Sequence, residues 1–251
     1  MFKGFYNLTS GMLSQGRRLD VVANNMTNIS TPGYKSDHYT DSTFDEALYV
    51  RIGNKNRLSD AEMGEINHIL APSQLYTDYT QGTYEETELS LDFAIQGEGF
   101  FAIQGADGGV SYTRSGSFIL DNDRYLYLTN QGRVLDNQGN PIQLYTDHIK
   151  ADKDGNLYSE EDGAYLGTLG VYAFEDNGEL ERNDQGLFVG DGAQLSQDFK
   201  IMHKWVERSN TDLISEMVKM MSAQRALQSA GQMLKIYDQV MNHATTDLGR
   251  M

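Results

Sequence analysis

The residues able to do chemistry come first, each set against a plainer role. Asp152-Lys153-Asp154-Gly155-Asn156 has the alternating acids and amide of a calcium loop. A helix–loop–helix calcium site needs its glycine at the sixth position and a bidentate glutamate at the twelfth. Here the glycine comes fourth and the twelfth position is Gly163, so a β-turn is the better reading. Gly97-Glu98-Gly99 begins like a dinucleotide fingerprint, but the third glycine is missing and the bulky Phe100 and Phe101 follow. His38, His68, His148, His203 and His243 show no ligand spacing. Acidic pairs such as Glu85-Glu86 and Glu160-Glu161-Asp162 could serve a two-carboxylate hydrolase, yet runs of acids are usually a solvated face. Cysteine is absent, which removes disulfides, thiolate nucleophiles and cysteine zinc sites. No catalytic group, metal or cofactor is therefore expected.

Charge narrows the partners. The formal net charge of −16 argues against nucleic acid, whose binding needs a basic surface. It equally disfavours an anionic membrane surface. No stretch approaches the roughly 20 apolar residues of a membrane span. The opening residues MFKGFYNLTSGMLSQGRR lack the apolar core of a cleaved signal peptide.

The elements that would position any site change character along the chain. Phe5, Met12, Leu19 and Met26 are spaced by seven, and Leu8, Gln15, Val22 and Ile29 follow each by three. This is the seam of a coiled coil, interrupted by Gln15. The helix is expected to stop in Ala23–Lys35, ANNMTNISTPGYK, where Asn24, Asn25, Asn28 and Ser30 compete with helical backbone bonds. There Pro32 pushes Thr31 out of the helical region, and Gly33 permits a turn before Tyr34. At the other end Leu213, Met220, Leu227, Leu234 and Met241 repeat the seven-residue spacing, behind a capping sequence Ser209-Asn210-Thr211-Asp212. Gly4, Gly11 and Gly16 each weaken the first helix by roughly 1 kcal/mol relative to alanine. The terminal helices are thus expected to fold in company, against each other and against further copies.

Between them the period becomes two. Leu89, Leu91, Phe93 and Ile95 alternate with polar residues, and turn signals recur at Asp107-Gly108, Asn137–Pro141, Asp154-Gly155, Asn177-Gly178 and Asp191-Gly192. The predicted class is α+β. An N-terminal assembly helix and turn (1–34) leads through an extended connecting segment (35–83), with a short helix over Phe44–Tyr49. A mainly antiparallel β domain (84–202) and a C-terminal assembly helix (203–251) follow, the terminal helices making a coiled-coil-like assembly domain.

Four segments, in order and spanning nearly the whole chain, resemble the flagellar basal-body rod and hook proteins. They are ANNMTNISTPGYK; LDFAIQGEGFF, Leu91–Phe101; YTRSGSF, Tyr112–Phe118; and the stretch Val206–Gln239 containing ERSNTDLISEMVKMMSAQRALQ. Tyr34 stands where a phenylalanine is usual and Leu227 where an aromatic is common. GEGFF and YTRSGSF lean towards the distal rod proteins, LERNDQGLF at Leu180–Phe188 towards the proximal ones. The resemblance implies a non-enzymatic structural subunit. It would leave through the flagellar export apparatus without signal cleavage, pack with itself and with other rod and hook proteins, and build a hollow helical shaft in the basal body. Two alternatives stand beside it: a trimeric β-rich fibre or adhesin with coiled-coil ends, and an acidic secreted hydrolase.

Overall fold

The computed structural model describes residues 2–43, 47–51, 61–66, 70–105, 107–183, 185–196 and 198–249. They form two compact units. A helical unit takes residues 1–27, 37–76 and 212–251, and a β unit takes 28–36 and 77–211.

In the helical unit, α1 (Phe2–Thr27) and α2 (Leu213–Leu248) pack side by side. They run antiparallel: Phe5 lies 6.5 Å from Tyr237, ring to ring, while Asn25 at the far end of α1 meets Glu216 at the start of α2. Asp212 starts α2 by accepting the N–H groups of Ile214 and Ser215 on its two carboxylate oxygens, at 3.2 and 3.3 Å. The helix thus begins directly behind the expected capping sequence Ser209–Asp212, and before it Phe199–His203 and Trp205–Glu207 form strands. β1 (Asp37–Thr43) pairs with β4 (Leu70–Thr77), and β2 (Ala47–Arg51) with β3 (Ala61–Ile66). The short helix expected over Phe44–Tyr49 is corrected for Ala47–Tyr49, where pairing with β3 imposes extended backbone; residues 44–46 lie outside the described residues.

The β unit is built from short antiparallel strands. In chain order they are β5 (Tyr84–Glu86), β6 (Phe93–Gly97), β7 (Phe100–Gln104), β8 (Val110–Thr113), β9 (Ile119–Leu120), β10 (Leu126–Leu128) and β11 (Gly132–Val134). Then come β12 (Ile149–Ala151), β13 (Asn156–Ser159), β14 (Tyr165–Thr168), β15 (Val171–Ala173), β16 (Glu181–Arg182), β17 (Phe188–Val189), β18 (Gln194–Leu195), β19 (Phe199–His203) and β20 (Trp205–Glu207). Among the described residues the largest sheet runs β16-β17-β8-β7-β11-β10-β9, with β15 paired to β7 and β18 to β15. β6 pairs with β19 and β5 with β20.

Alternation along β7 sorts the two faces of that sheet. Phe101 and Ile103 enter the main core with Phe93, Ile95, Leu126, Val134, Leu157 and Ile201, while Phe100 and Ala102 join a second cluster with Tyr112, Leu135, Leu180 and Phe188. The expected period-two stretch holds from Leu91 onward. Leu89 precedes the strand and is exposed, since β6 begins only at Phe93. Asp152–Asn156 is the turn joining β12 and β13, closed by Asp152 N–H to Asn156 O at 2.9 Å. Gly97-Glu98-Gly99 joins β6 to β7 without opening a helix. Among the described residues no His, Asp or Glu cluster is placed to hold a metal ion, and no helix is long and apolar enough to cross a membrane.

Candidate functional site

The seven-residue repeat of α2 marks the side of the helix that is covered. Glu216, Met220, Ala223, Leu227, Ala230, Leu234, Tyr237 and Met241 follow one another at spacings of three and four, and all are buried or half-buried. In α1, Leu8, Met12, Gln15, Leu19, Val22 and Met26 do the same, and Val22 is only 4% exposed. Phe5, near the frayed end, is 40% exposed, as is Leu213 to a similar degree at the start of α2. Ile29 lies beyond the helix, half-covered, in the turn.

A second side of α1 is held by polar bonds to β1. Ser14 donates to Asp41, and Arg18 reaches the same carboxylate at 2.7 Å. Asn25, 1% exposed, makes a reciprocal pair with the backbone of Asp37: its amide donates to the carbonyl at 2.8 Å and its oxygen accepts the N–H at 3.0 Å. An asparagine mimicking backbone in this way locks β1 against the helix end. Asn24, one residue earlier, is exposed.

α2 also has an apolar face that none of the described residues covers. Ile214, Met217, Val218 and Met221 form one exposed patch near its start; Met233, Ile236 and Val240 form another near its end. At about 100° per residue Ile214, Val218, Met221 and Ile236 lie on the far side of the helix from the covered repeat, and Met217, Met233 and Val240 lie on its flanks. An ordinary surface helix carries one apolar stripe, whereas a helix apolar on both sides is one meant to be surrounded. Tyr6 and Leu13 add exposed apolar surface on α1.

The turn motif belongs to the β unit. Thr31 N–H bonds Asn28 O at 3.1 Å, Thr31 Oγ1 bonds Asn28 Oδ1 at 3.3 Å, and Tyr34 N–H bonds Thr31 O at 3.3 Å. Ser30 and Thr31 face solvent and Pro32 is half-covered. Gly33 sits at φ +69°, where an added Cβ would lie 2.1 Å from the backbone nitrogen of Ser115. Its N–H bonds Glu207 O at 2.7 Å. Tyr34 lies under the Arg182 guanidinium, 4.8 Å from its ring centre.

Three residues of functional interest were missed as site residues, although each lies inside a quoted segment. Lys35 closes STPGYK, Arg114 sits in YTRSGSF, and Glu207 precedes RSNTD. They meet in the interior. Lys35 Nζ is 2.6 Å from Glu207 Oε1, and Arg114 Nη1 is 3.4 Å from Glu207 Oε2. Lys35 and Glu207 are each 1% exposed and Arg114 5%. Lys35 also donates to Thr80 O (2.7 Å), Arg114 to Gly97 O (2.8 Å), and Gly82 N–H to Glu207 Oε1 (3.0 Å). Arg182 donates to Lys35 O at 2.7 Å, and Ser36 N–H to Asn210 Oδ1 at 2.8 Å. Residues 28–36 and 205–210, where the chain leaves and re-enters the helical unit, are therefore stitched together within the β unit. Burial holds the Lys35 and Arg114 cations below their ordinary pKa, against the pull of Glu207. Burial, reinforced by the Glu207 carboxylate, pushes Tyr84 up to about 12. Charge in each segment was visible; its convergence across 172 residues of sequence was not.

Covered seams, an exposed apolar helix face and a buried charge clamp that ties distant segments together define a structural protein built to pack. Three family models agree. The flagellar hook protein FlgE/F/G D1 domain matches residues 94–209, the C-terminal region of the flagellar basal body rod FlgEFG proteins matches 203–246, and the flagella basal body rod protein model matches 5–35. The chain belongs to the flagellar basal-body rod and hook protein family. Among its relatives, the flagellar hook-basal body complex protein FlhO of Bacillus subtilis is 28% identical over the whole of both chains. The flagellar basal-body rod protein FlgG of Borreliella burgdorferi is 28% identical, with 97% of this chain and 98% of that one covered. The rod protein FlgF of Caulobacter vibrioides is 26% identical over the whole of both. Family membership sets aside the fibre and hydrolase alternatives.

Proposed function

We propose that this chain is a structural subunit of the flagellar basal-body rod that polymerises through its terminal helices. Copies pack with one another and with other rod and hook proteins around a hollow channel, and the resulting shaft carries torque across the cell envelope. The subunit reaches its place through the flagellar export apparatus, without signal cleavage. One observation carries this reading: α2 is apolar well beyond the side that packs against α1, with exposed apolar patches near both of its ends. In the polymer the exposed patches at Ile214–Met221 and Met233–Val240 meet helices of neighbouring copies, which extends the seam into a coiled-coil-like array. Leu213, Met220, Leu227, Leu234 and Met241 hold the helix pair, with Phe5, Leu8, Met12, Leu19, Val22 and Met26 opposite. The turn at Asn28–Tyr34 sets the chain's path into the β unit. Mass spectrometry of washed basal bodies from the source organism tests the assignment. The chain is expected there with hook and ring proteins; its absence from intact basal bodies of cells that express it would overturn the reading.

A further inference from the structure

The outward face of the largest sheet is closed over only half its extent. Towards Phe100, Tyr112 and Leu135 the aromatic cluster covers it. The other half is an open groove. One row crosses its floor on five strands: Ile119 on β9 opposes Tyr127 on β10, Tyr127 opposes Arg133 on β11, Arg133 opposes Gln104 on β7, and Gln104 opposes Val110 on β8. The groove encloses about 800 Å³, lined by this row's centre with Asp107, Asp121, Asn130, Gln131 and Gln185. That lies within the roughly 300–1,000 Å³ of small-molecule sites.

Its parts are fixed in place. Arg133 is held by Asp121 at 3.2 Å and Asp123 at 2.7 Å, and its guanidinium lies 4.1 Å from the Tyr125 ring centre. Gly132, at φ +153°, lets β11 approach β7 so closely that a Cβ there would meet Gln104 O at 2.1 Å. Asn130 takes the left-handed conformation at φ 61° in the turn joining β10 to β11, as asparagine readily does. Gln131 gives its amide N–H to Gln185 O at 3.1 Å, and its shielded Oε1 has no partner, an arrangement that calls for a reason. None of these features serves the helix pair or the turn clamp.

Chemistry selects the ligand. The acids Asp107, Asp121 and Asp123 outnumber Arg133, which disfavours phosphate and other anions. The lining is mainly amide, carboxylate and glycine, which disfavours an apolar guest. Planar amides, carboxylates and a fixed guanidinium bind neighbouring hydroxyls in pairs, and one tyrosine ring offers a face to C–H groups. We propose that this groove binds a neutral oligosaccharide, with Tyr127 beneath a sugar ring and Gln104 and Asp121 on its hydroxyls.

The test is an NMR titration of the isotope-labelled full chain, dilute, with the β-1,4 tetramer of N-acetylglucosamine and with maltotetraose as probes. One of the two is expected to shift the amides of residues 104–108 and 127–133 saturably. Tyr127→Ala and Gln104→Ala are each expected to weaken binding at least about tenfold while the Trp205 unfolding transition stays cooperative. Three results would overturn the proposal: no shift at millimolar sugar, equal binding by both variants, or shifts that follow protein concentration rather than sugar. The last would make the groove a contact between copies. None of these outcomes depends on the chain's place in the rod.

Discussion

Replacing Glu207 with glutamine tests the clamp at its centre. The carboxylate is shared by Lys35 and Arg114, all three are nearly inaccessible, and glutamine keeps the shape while removing the charge. Two buried cations then face an amide whose NH2 end can only repel them. Removing one partner of a buried ion pair costs about 3–5 kcal/mol, because it strands the other charge. A second route bounds the cost. Lys35 can escape by losing its proton, and holding an ordinary lysine neutral at pH 7 costs about 4–5 kcal/mol. Since burial already lowers its pKa, the actual cost falls below that ceiling. About 3–4 kcal/mol is therefore expected, a large part of the roughly 5–15 kcal/mol that stabilises a typical domain. Trp205, the single tryptophan, sits on β20 two residues from Glu207, so its fluorescence during urea unfolding reports this unit. Lys35→Met is expected to cost less, about 1–2 kcal/mol, since Glu207 keeps Arg114 and the Gly82 N–H. Adding Lys35→Met to Glu207→Gln is expected to recover stability. A loss below about 1 kcal/mol for Glu207→Gln, or no recovery in the double variant, would refute the shared-charge account.

Gly33→Ala is expected to unseat the turn, since its Cβ would meet the Ser115 backbone at 2.1 Å in a left-handed conformation; hydrogen exchange at residues 30–36 should rise together with exchange at β20. Val218→Asp combined with Ile236→Asp is expected to leave monomer stability within about 0.5 kcal/mol, both sites being exposed, yet abolish incorporation into basal bodies; normal incorporation would exclude this face from assembly. Burial on Phe93 lowers the His203 pKa, so the unfolded chain takes up the proton first as pH falls. Stability from His203 is therefore complete above about pH 6.5 and lost as pH falls below it, a slope that His203→Gln should reduce in urea midpoints measured from pH 7 to 5. Tyr84 has the opposite sense: with its pKa raised to about 12, the unfolded chain ionises first, so stability falls from about pH 10 to 12. Tyr84→Phe should flatten that fall only in part, because burial raises Tyr112 and Tyr172 as well.

What could be read from sequence was whatever depends on local period. The repeats in α1 and α2 and the alternation at Leu91–Ile95 each report one element meeting one neighbour, and spacing alone encodes that. Phe44–Tyr49 misled because a short apolar run suits helix or strand equally, and only its partner at Ala61–Ile66 decides. The strands β19 and β20 just before α2 went unseen because their pairing with β6 and β5 is long-range. The clamp was invisible for the same reason: Lys35, Arg114 and Glu207 look like surface charges until the fold brings them together.

The uncovered face of α2 was legible but overshadowed. Ile214, Val218, Met221, Ile236 and Val240 fall outside the seven-residue repeat that explains Leu213, Met220, Leu227, Leu234 and Met241. Once that repeat is assigned to α1, the surplus apolar residues stay exposed among the described residues. A monomer that exposes such patches risks indiscriminate association. The same chain carries 36 acidic against 20 basic residues, and a strong net charge of one sign keeps copies apart in dilute solution. Acidity and the second apolar face thus belong to one design. In the proposed assembly, repulsion would keep free subunits apart, and helix faces of neighbouring copies would overcome it where many copies are presented in register. Shielding the charge with salt should then promote association of the wild-type chain while leaving the Val218→Asp, Ile236→Asp variant monomeric, which separates ordered helix packing from non-specific salting out.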